Sequence, residues 1–163
     1  MPALQFNADE IFTMAEQIEI NGAKFYRKAA RANPSAARLL EQLAAMEDAH
    51  YRTFSELHAA IGERAREQLT ADPEGEAGLF AQAFANENVF DVRKDPSEKL
   101  KGTESLAQVL NMAIGIEKES IVFYVGLKEM TPKNAGRDKI DNILQEELKH
   151  VAILSNELKK LAK

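Results

Sequence analysis

The chain contains no cysteine. That absence removes thiolate zinc sites, iron–sulfur clusters, rubredoxin-type centres, cysteine nucleophiles and any disulfide framework. Tryptophan is also missing, and only 8 Gly and 5 Pro occur in 163 residues, too few for a collagen-like or Pro-rich chain. Positive charge is not in excess: the formal net charge is −5 at pH 7, so nothing points to nucleic acid or an anionic membrane as a partner. No apolar run approaches the ~18 residues of a membrane span. The opening residues, Met1 to Asn7, lack the basic and apolar regions of a signal peptide, and the expectation is a cytoplasmic protein. The length suits one domain over residues 1–163, able to bury roughly 68–70% of its unfolded surface in a core.

What is present is helix-forming residues. Ala, Leu, Glu, Lys and Gln dominate, and runs of Val, Ile and Thr are scarce. A first helix is predicted over 7–32, with Asn7 and Glu10 as a capping box and Ile11, Ala15, Ile18, Gly22, Phe25 and Ala29 as its seam. Asn33-Pro34 stops it and starts a second, Asn33 as its N-cap and Pro34 in its first position. The second helix carries Leu39, Leu43, Met46, His50, Phe54, Leu57 and Ile61 and ends either at Gly62 or, extended by Glu63 to Leu69, later. A break follows at 71–75, a short helix is expected within 79–90, and 93–97 reads as a charged loop. The third long helix begins near Thr103 or Ser105, where Ser105 can pair with Gln108 as a second capping box, and follows Leu106, Val109, Ala113, Ile116, Ser120, Phe123 and Leu127. Thr131-Pro132 ends it. The fourth starts between Asn134 and Asp138 and follows Ile140, Leu144, Glu147, Val151, Leu154, Leu158 and Leu161. The joins are short, long and short. The expected fold class is all-α, an antiparallel four-helix bundle of hairpins 7–62 and 103–163 with one long crossover (63–102) between helices 2 and 3.

The two hairpins repeat one another. Ile18-Glu19 precedes Phe25-Tyr26 by the same spacing as Ile116-Glu117 precedes Phe123-Tyr124, and Glu47-x-x-His50 returns as Glu147-x-x-His150. Residues three apart on a helix share a face about 5–6 Å apart, so each Glu-x-x-His pair can reach one point. These residues also fall in or beside the apolar seams, where an uncompensated carboxylate costs several kcal/mol. Two divalent cations would balance four buried carboxylates. A mixed set of carboxylate and imidazole suits iron or manganese better than calcium. The candidate ligands are therefore Glu19, Glu47, His50, Glu117, Glu147 and His150. Tyr26 and Tyr124 share the faces of Glu19 and Glu117; they read either as core packing or as phenols bonding a ligand carboxylate from another helix. His58 reads as an ordinary helix residue and Tyr51 as packing. Glu16, Glu41, Glu119 and Glu146 have no counterparts in the repeat and read as solvated.

The order Glu19, Glu47-x-x-His50, Glu117, Glu147-x-x-His150 resembles the ferritin-like di-iron carboxylate superfamily. The Ile-Glu…Phe-Tyr hairpins resemble its rubrerythrin family. The resemblance implies that Glu47 and Glu147 bridge two irons, with Glu19 and His50 completing one and Glu117 and His150 the other. Manganese or zinc are alternative loaded metals. It further implies an oxidoreductase that reduces hydrogen peroxide or dioxygen. Many ferritins add a short fifth helix, whereas Val151 to Leu161 still reads as helix four here, so a homodimer is expected rather than a cage. Rubrerythrins carry four Cys in a rubredoxin domain; with none here, the expected electron donor is another protein. They also carry a second Glu three residues after the third-helix ligand, where this sequence has Ser120. Glu119 is one residue away and points elsewhere, so the site is expected to be more symmetric, closer to bacterioferritin. Two other readings stand beside this one: a ferroxidase or iron-binding ferritin-like protein, and a non-catalytic metal-stabilised interaction module. A hydroxylase acting on an organic substrate is a third reading, and it would need an apolar substrate pocket.

Overall fold

The computed structural model describes residues 7–70 and 94–163, with the side chains of 68–70 left aside. The expected break at 71–75, the short helix within 79–90 and the first six residues lie outside the described residues.

Four long helices arise where the periodicity places them: α1 (Ala8–Ala32), α2 (Ala37–Ala60), α4 (Leu106–Met130) and α5 (Arg137–Leu161), with a short α3 (Glu63–Thr70) after α2. At 24 or 25 residues each, the long helices extend ~37 Å. There is no strand among the described residues. None of their helices is long and apolar enough to cross a membrane.

Both capping boxes form as expected. The Asn7 side chain accepts from the Glu10 N–H, and Glu10 accepts in return from the Asn7 N–H, each at 2.9 Å. Ser105 and Gln108 exchange the same pair of bonds at 3.2 and 2.8 Å. Asn33 is a correction. Its side chain donates back to the Ala29 carbonyl at 2.9 Å and makes no cap on α2; a 3₁₀ turn over Pro34–Ala36 intervenes, and the second α-helix begins only at Ala37. Pro lacks an N–H and suits a first turn, but that turn here is the tighter one. The segment expected as a charged loop is docked on α1 where it is described: Pro96–Lys99 forms a 3₁₀ turn, with the Ser97 carbonyl accepting from Lys28 at 2.8 Å and Asp95 facing Lys24 at 3.4 Å.

α1 packs along α2 and α4 along α5, and contacts between α1 and α4 and between α2 and α5 close the bundle. The turn from α4 to α5 depends on glycine. Gly136 has φ 95°, and a Cβ there would come 2.2 Å from Leu57 Cδ2 on α2.

The core is divided. One apolar cluster contains Phe12, Ala15, Ile18, Phe54, Phe123 and Leu144. A second contains Phe25, Leu43, Ala44, Leu110, Ala113 and Leu154. On every long helix the chain passes from one cluster to the other through a polar pair: Glu19 and Asn21 on α1, Glu47 and His50 on α2, Glu117 and Ser120 on α4, Glu147 and His150 on α5. The seams are broadly as expected, with local shifts. Leu39, Met46, Ile116, Val151 and Leu158 are half-buried while Leu40, Ala44 and Leu110 are buried, and Leu161 is exposed. Tyr51, expected to pack, is exposed; one residue past His50, it is turned about 100° away from the buried face.

Candidate metal centre

The polar layer between the two clusters is assembled from the middle of each long helix. Glu19, Glu117, Glu147 and His150 are at most 1% exposed, and Glu47 and His50 at most 3%. The structure brings all six sequence-predicted ligand candidates together. They form two groups in which ligand-type atoms lie within 4.8 Å of one another: Glu19, Glu47, His50 and Glu147 in one, Glu47, Glu117, Glu147 and His150 in the other. Glu47 and Glu147 belong to both.

The contacts follow the internal repeat. His50 Nδ1 lies 3.1 Å from Glu147 Oε1 and 3.5 Å from Glu19 Oε2. His150 Nδ1 lies 3.2 Å from Glu47 Oε1, 3.4 Å from Glu117 Oε1 and 3.0 Å from Glu147 Oε2. Each imidazole thus faces the Glu of its own half and the shared Glu of the other. The two rings stack at 5.6 Å. Although these atoms are close, Glu19 Oε2, Glu47 Oε1, both Glu147 oxygens, His50 Nδ1 and both His150 nitrogens have no aligned hydrogen-bond partner. Buried polar atoms are nearly always bonded. Lone pairs that converge at 3.0–3.5 Å without hydrogen-bond alignment are the arrangement a bound cation satisfies. The donor set of carboxylate oxygen and imidazole nitrogen fits iron or manganese.

Without cations the layer must hold protons. Burial, and then the neighbouring Glu147, raise the Glu19 carboxyl above its ordinary value and raise Glu47 further. Burial and then Glu47 do the same at Glu117. For Glu147 burial acts upward too, but the His150 and His50 imidazoles outweigh it and hold the group at about 2. Burial alone would depress the imidazoles; the facing carboxylates, Glu147 and Glu19 for His50 and Glu117 and Glu147 for His150, instead push them up to about 11 and about 12.

Two tyrosines stand behind the carboxylates. Tyr26 donates to Glu117 Oε1 and Tyr124 donates to Glu19 Oε1. Of the two sequence readings for them, the structure shows the hydrogen bond to a carboxylate of another helix. Both phenols are pushed well above the ordinary tyrosine value, by burial first and by Glu117 or Glu19 next, so they remain donors.

Three features were not foreseen. Gly22, legible only as a seam residue, makes room for Glu47: a Cβ on it would lie 2.7 Å from Glu47 Oε2. Its repeat counterpart is Ser120, whose hydroxyl donates to the Ile116 carbonyl of its own helix at 3.1 Å. Glu146, expected to be solvated, accepts from His50 Nε2 at 2.7 Å. Glu16, also expected to be solvated, faces His58 Nδ1 at 3.1 Å, while Asp9 faces His58 Nε2 at 3.0 Å and Phe12 stacks on the ring. Glu41 and Glu119 are exposed, as expected.

A family model described as a ferritin-like domain matches residues 7–160. Among solved structures, a protein of Thermotoga maritima described as a ferritin-like diiron-carboxylate protein shares 23% identity. It covers 95% of this chain and 96% of its own, with a TM-score of 0.75; at that identity the likeness concerns the fold. No curated protein matches the chain.

Proposed function

Given that the chain belongs to the ferritin-like domain family, we propose that it is a di-iron oxidoreductase of rubrerythrin type, reducing hydrogen peroxide or dioxygen with electrons from an external protein donor. The observation that carries this reading is the sharing of Glu47 and Glu147 between two otherwise separate groups of buried ligand atoms. Glu19 and His50 would complete the hold on one iron, Glu117 and His150 on the other. When bound, the iron pair supplies the two electrons that, with two protons, convert hydrogen peroxide to two waters.

The protein's own part is positioning and exclusion. Tyr26 and Tyr124 fix the orientation of Glu117 and Glu19 and spread part of their charge. The apolar clusters on either side shield the layer from bulk water, which strengthens every charge interaction inside it. A cytoplasmic homodimer is part of the same reading.

Rapid mixing tests it. Protein loaded anaerobically with two ferrous ions per chain is mixed with peroxide or with dioxygen, and the ferric absorbance is followed. Much faster oxidation by peroxide is the expected result. Faster oxidation by dioxygen would overturn it in favour of a ferroxidase. No oxidation by either would leave a metal-stabilised interaction module.

A further inference from the structure

We propose that Glu146 is a positioning residue that makes the two cation sites unequal, holding the His50 site in its ligating geometry while the His150 site has no such support. The proposal rests on the two-metal reading above.

The two imidazoles occupy equivalent places in the repeat, and each inner nitrogen faces the outer Glu of its own half and the shared Glu of the other, with Glu147 also beside His150 Nδ1. Their outer nitrogens differ. His50 Nε2 lies 2.7 Å from Glu146 Oε2, whose side chain is half-exposed. His150 Nε2 is buried and has no hydrogen-bond partner among the described residues. A neutral imidazole donates from one nitrogen and accepts at the other. A carboxylate accepting from Nε2–H fixes the tautomer that leaves the Nδ1 lone pair facing Glu19 and Glu147, and it fixes the plane of the ring. His150 has neither constraint.

The inequality is written in the sequence. Glu146 precedes Glu147 on α5 and reaches across to the imidazole of α2. The corresponding residue on α2, before Glu47, is Met46, which carries no carboxylate. The repeat is therefore broken at the position that would serve His150. Because Glu146 keeps half its surface in water, its charge carries little of the desolvation cost borne by the six buried ligand candidates.

Cobalt(II) is a suitable probe, because its d–d absorption reports coordination without redox chemistry. Full-length metal-free protein titrated anaerobically should take up two cobalt ions in two steps of unequal affinity. Glu146→Ala should weaken the tighter step ~10- to 100-fold, so that the steps merge, and should leave the weaker one in place. Glu146→Gln, which keeps an acceptor oxygen, should restore most of the loss. Met46→Glu should strengthen the weaker step. Glu41→Ala, at an exposed glutamate of α2, should change neither, and metal-free melting curves identify any variant that fails to fold. Equal weakening of both steps by Glu146→Ala, an unchanged titration, or no rescue by Gln would overturn the proposal. Wild-type protein taking up fewer than two cobalt ions would overturn the two-metal reading together with it. Slow peroxide turnover with two unequal cobalt steps would count against the peroxidase reading alone and support this one.

Discussion

The Tyr26 hydroxyl of α1 donates to the Glu117 carboxylate of α4, and the repeat supplies its mirror, Tyr124 of α4 donating to Glu19 of α1. Each hairpin thus holds the other's outer carboxylate. The exchange ties the two halves together at the polar layer between the two apolar clusters. A phenol removed from either place leaves a buried carboxylate oxygen short of its donor. Tyr26→Phe and Tyr124→Phe should each cost about 1–3 kcal/mol of stability in metal-free protein. The two losses should be similar, because the bonds are reciprocal. Denaturant unfolding of both single variants checks this, and a loss confined to one would mean that the bonds are not equivalent.

Gly22 gives a prediction in which local propensity and the site oppose one another. Alanine favours a helix interior over glycine by about 0.5–1 kcal/mol. A Cβ at position 22 would nevertheless collide with Glu47 Oε2, a carboxylate common to both ligand groups. Gly22→Ala should leave the melting temperature of metal-free protein unchanged or raised, and should weaken metal uptake by about 10-fold or more, the scale on which displaced ligand geometry acts. Metal titration and melting of the same variant separate the two effects. Unchanged affinity would show that Glu47 relaxes without loss.

Much of this was legible in the residues. Glu19, Glu47, His50, Glu117, Glu147 and His150 stood out because a repeat reproduces position as well as composition, and helical geometry then requires them to share one level of the bundle. The capping boxes were legible because Asn7 with Glu10 and Ser105 with Gln108 are contiguous, self-contained signals. Asn33 was misread because Asn-Pro serves equally as the end of one helix and the start of another, and the 3₁₀ turn between them depends on how α1 and α2 pack. Glu146 was illegible for the reason that makes it interesting. It has no repeat partner, and its contact is made across helices 96 residues apart. Glu16 and His58 were missed likewise, since their meeting depends on the register of α1 against α2.

Acidity should act on metal-free and metal-bound protein in opposite senses. Glu19, Glu47 and Glu117 have folded values raised, by burial first, above the ordinary 4.5. The folded state keeps protons that the unfolded chain releases, so their contribution is complete below 4.5 and declines as pH rises. His50 and His150, raised from 6.5 to about 11 and about 12, contribute fully below 6.5 and lose that contribution as pH climbs toward those values. Glu147, held at about 2, works the other way, contributing above 4.5 and losing it as pH falls toward 2. Metal-free protein should therefore melt highest at about pH 4–4.5 and progressively lower through about pH 5–9. Metal needs deprotonated ligands, so the stabilisation it adds should grow over the same rise. Melting curves with and without chelator across this range provide the check, and parallel curves would mean that the six side chains do not bind metal as a unit.

The shared and unshared carboxylates should be separable by counting. Glu147 offers both oxygens to the layer, Oε1 toward His50 at 3.1 Å and Oε2 toward His150 at 3.0 Å, and it belongs to both ligand groups. Glu117 belongs to one. Glu147→Ala removes a ligand from each site and also takes away the anion that faces both imidazoles; it should abolish tight binding of both metal ions. Glu117→Ala should cost one ion and leave the Glu19–His50 side occupied. His50→Ala should remove the ion on that side and spare the one beside His150. Metal analysis after gel filtration reads these counts directly. If Glu117→Ala and Glu147→Ala lost the same number of ions, Glu147 would not be a bridge, and the two groups would act as a single site.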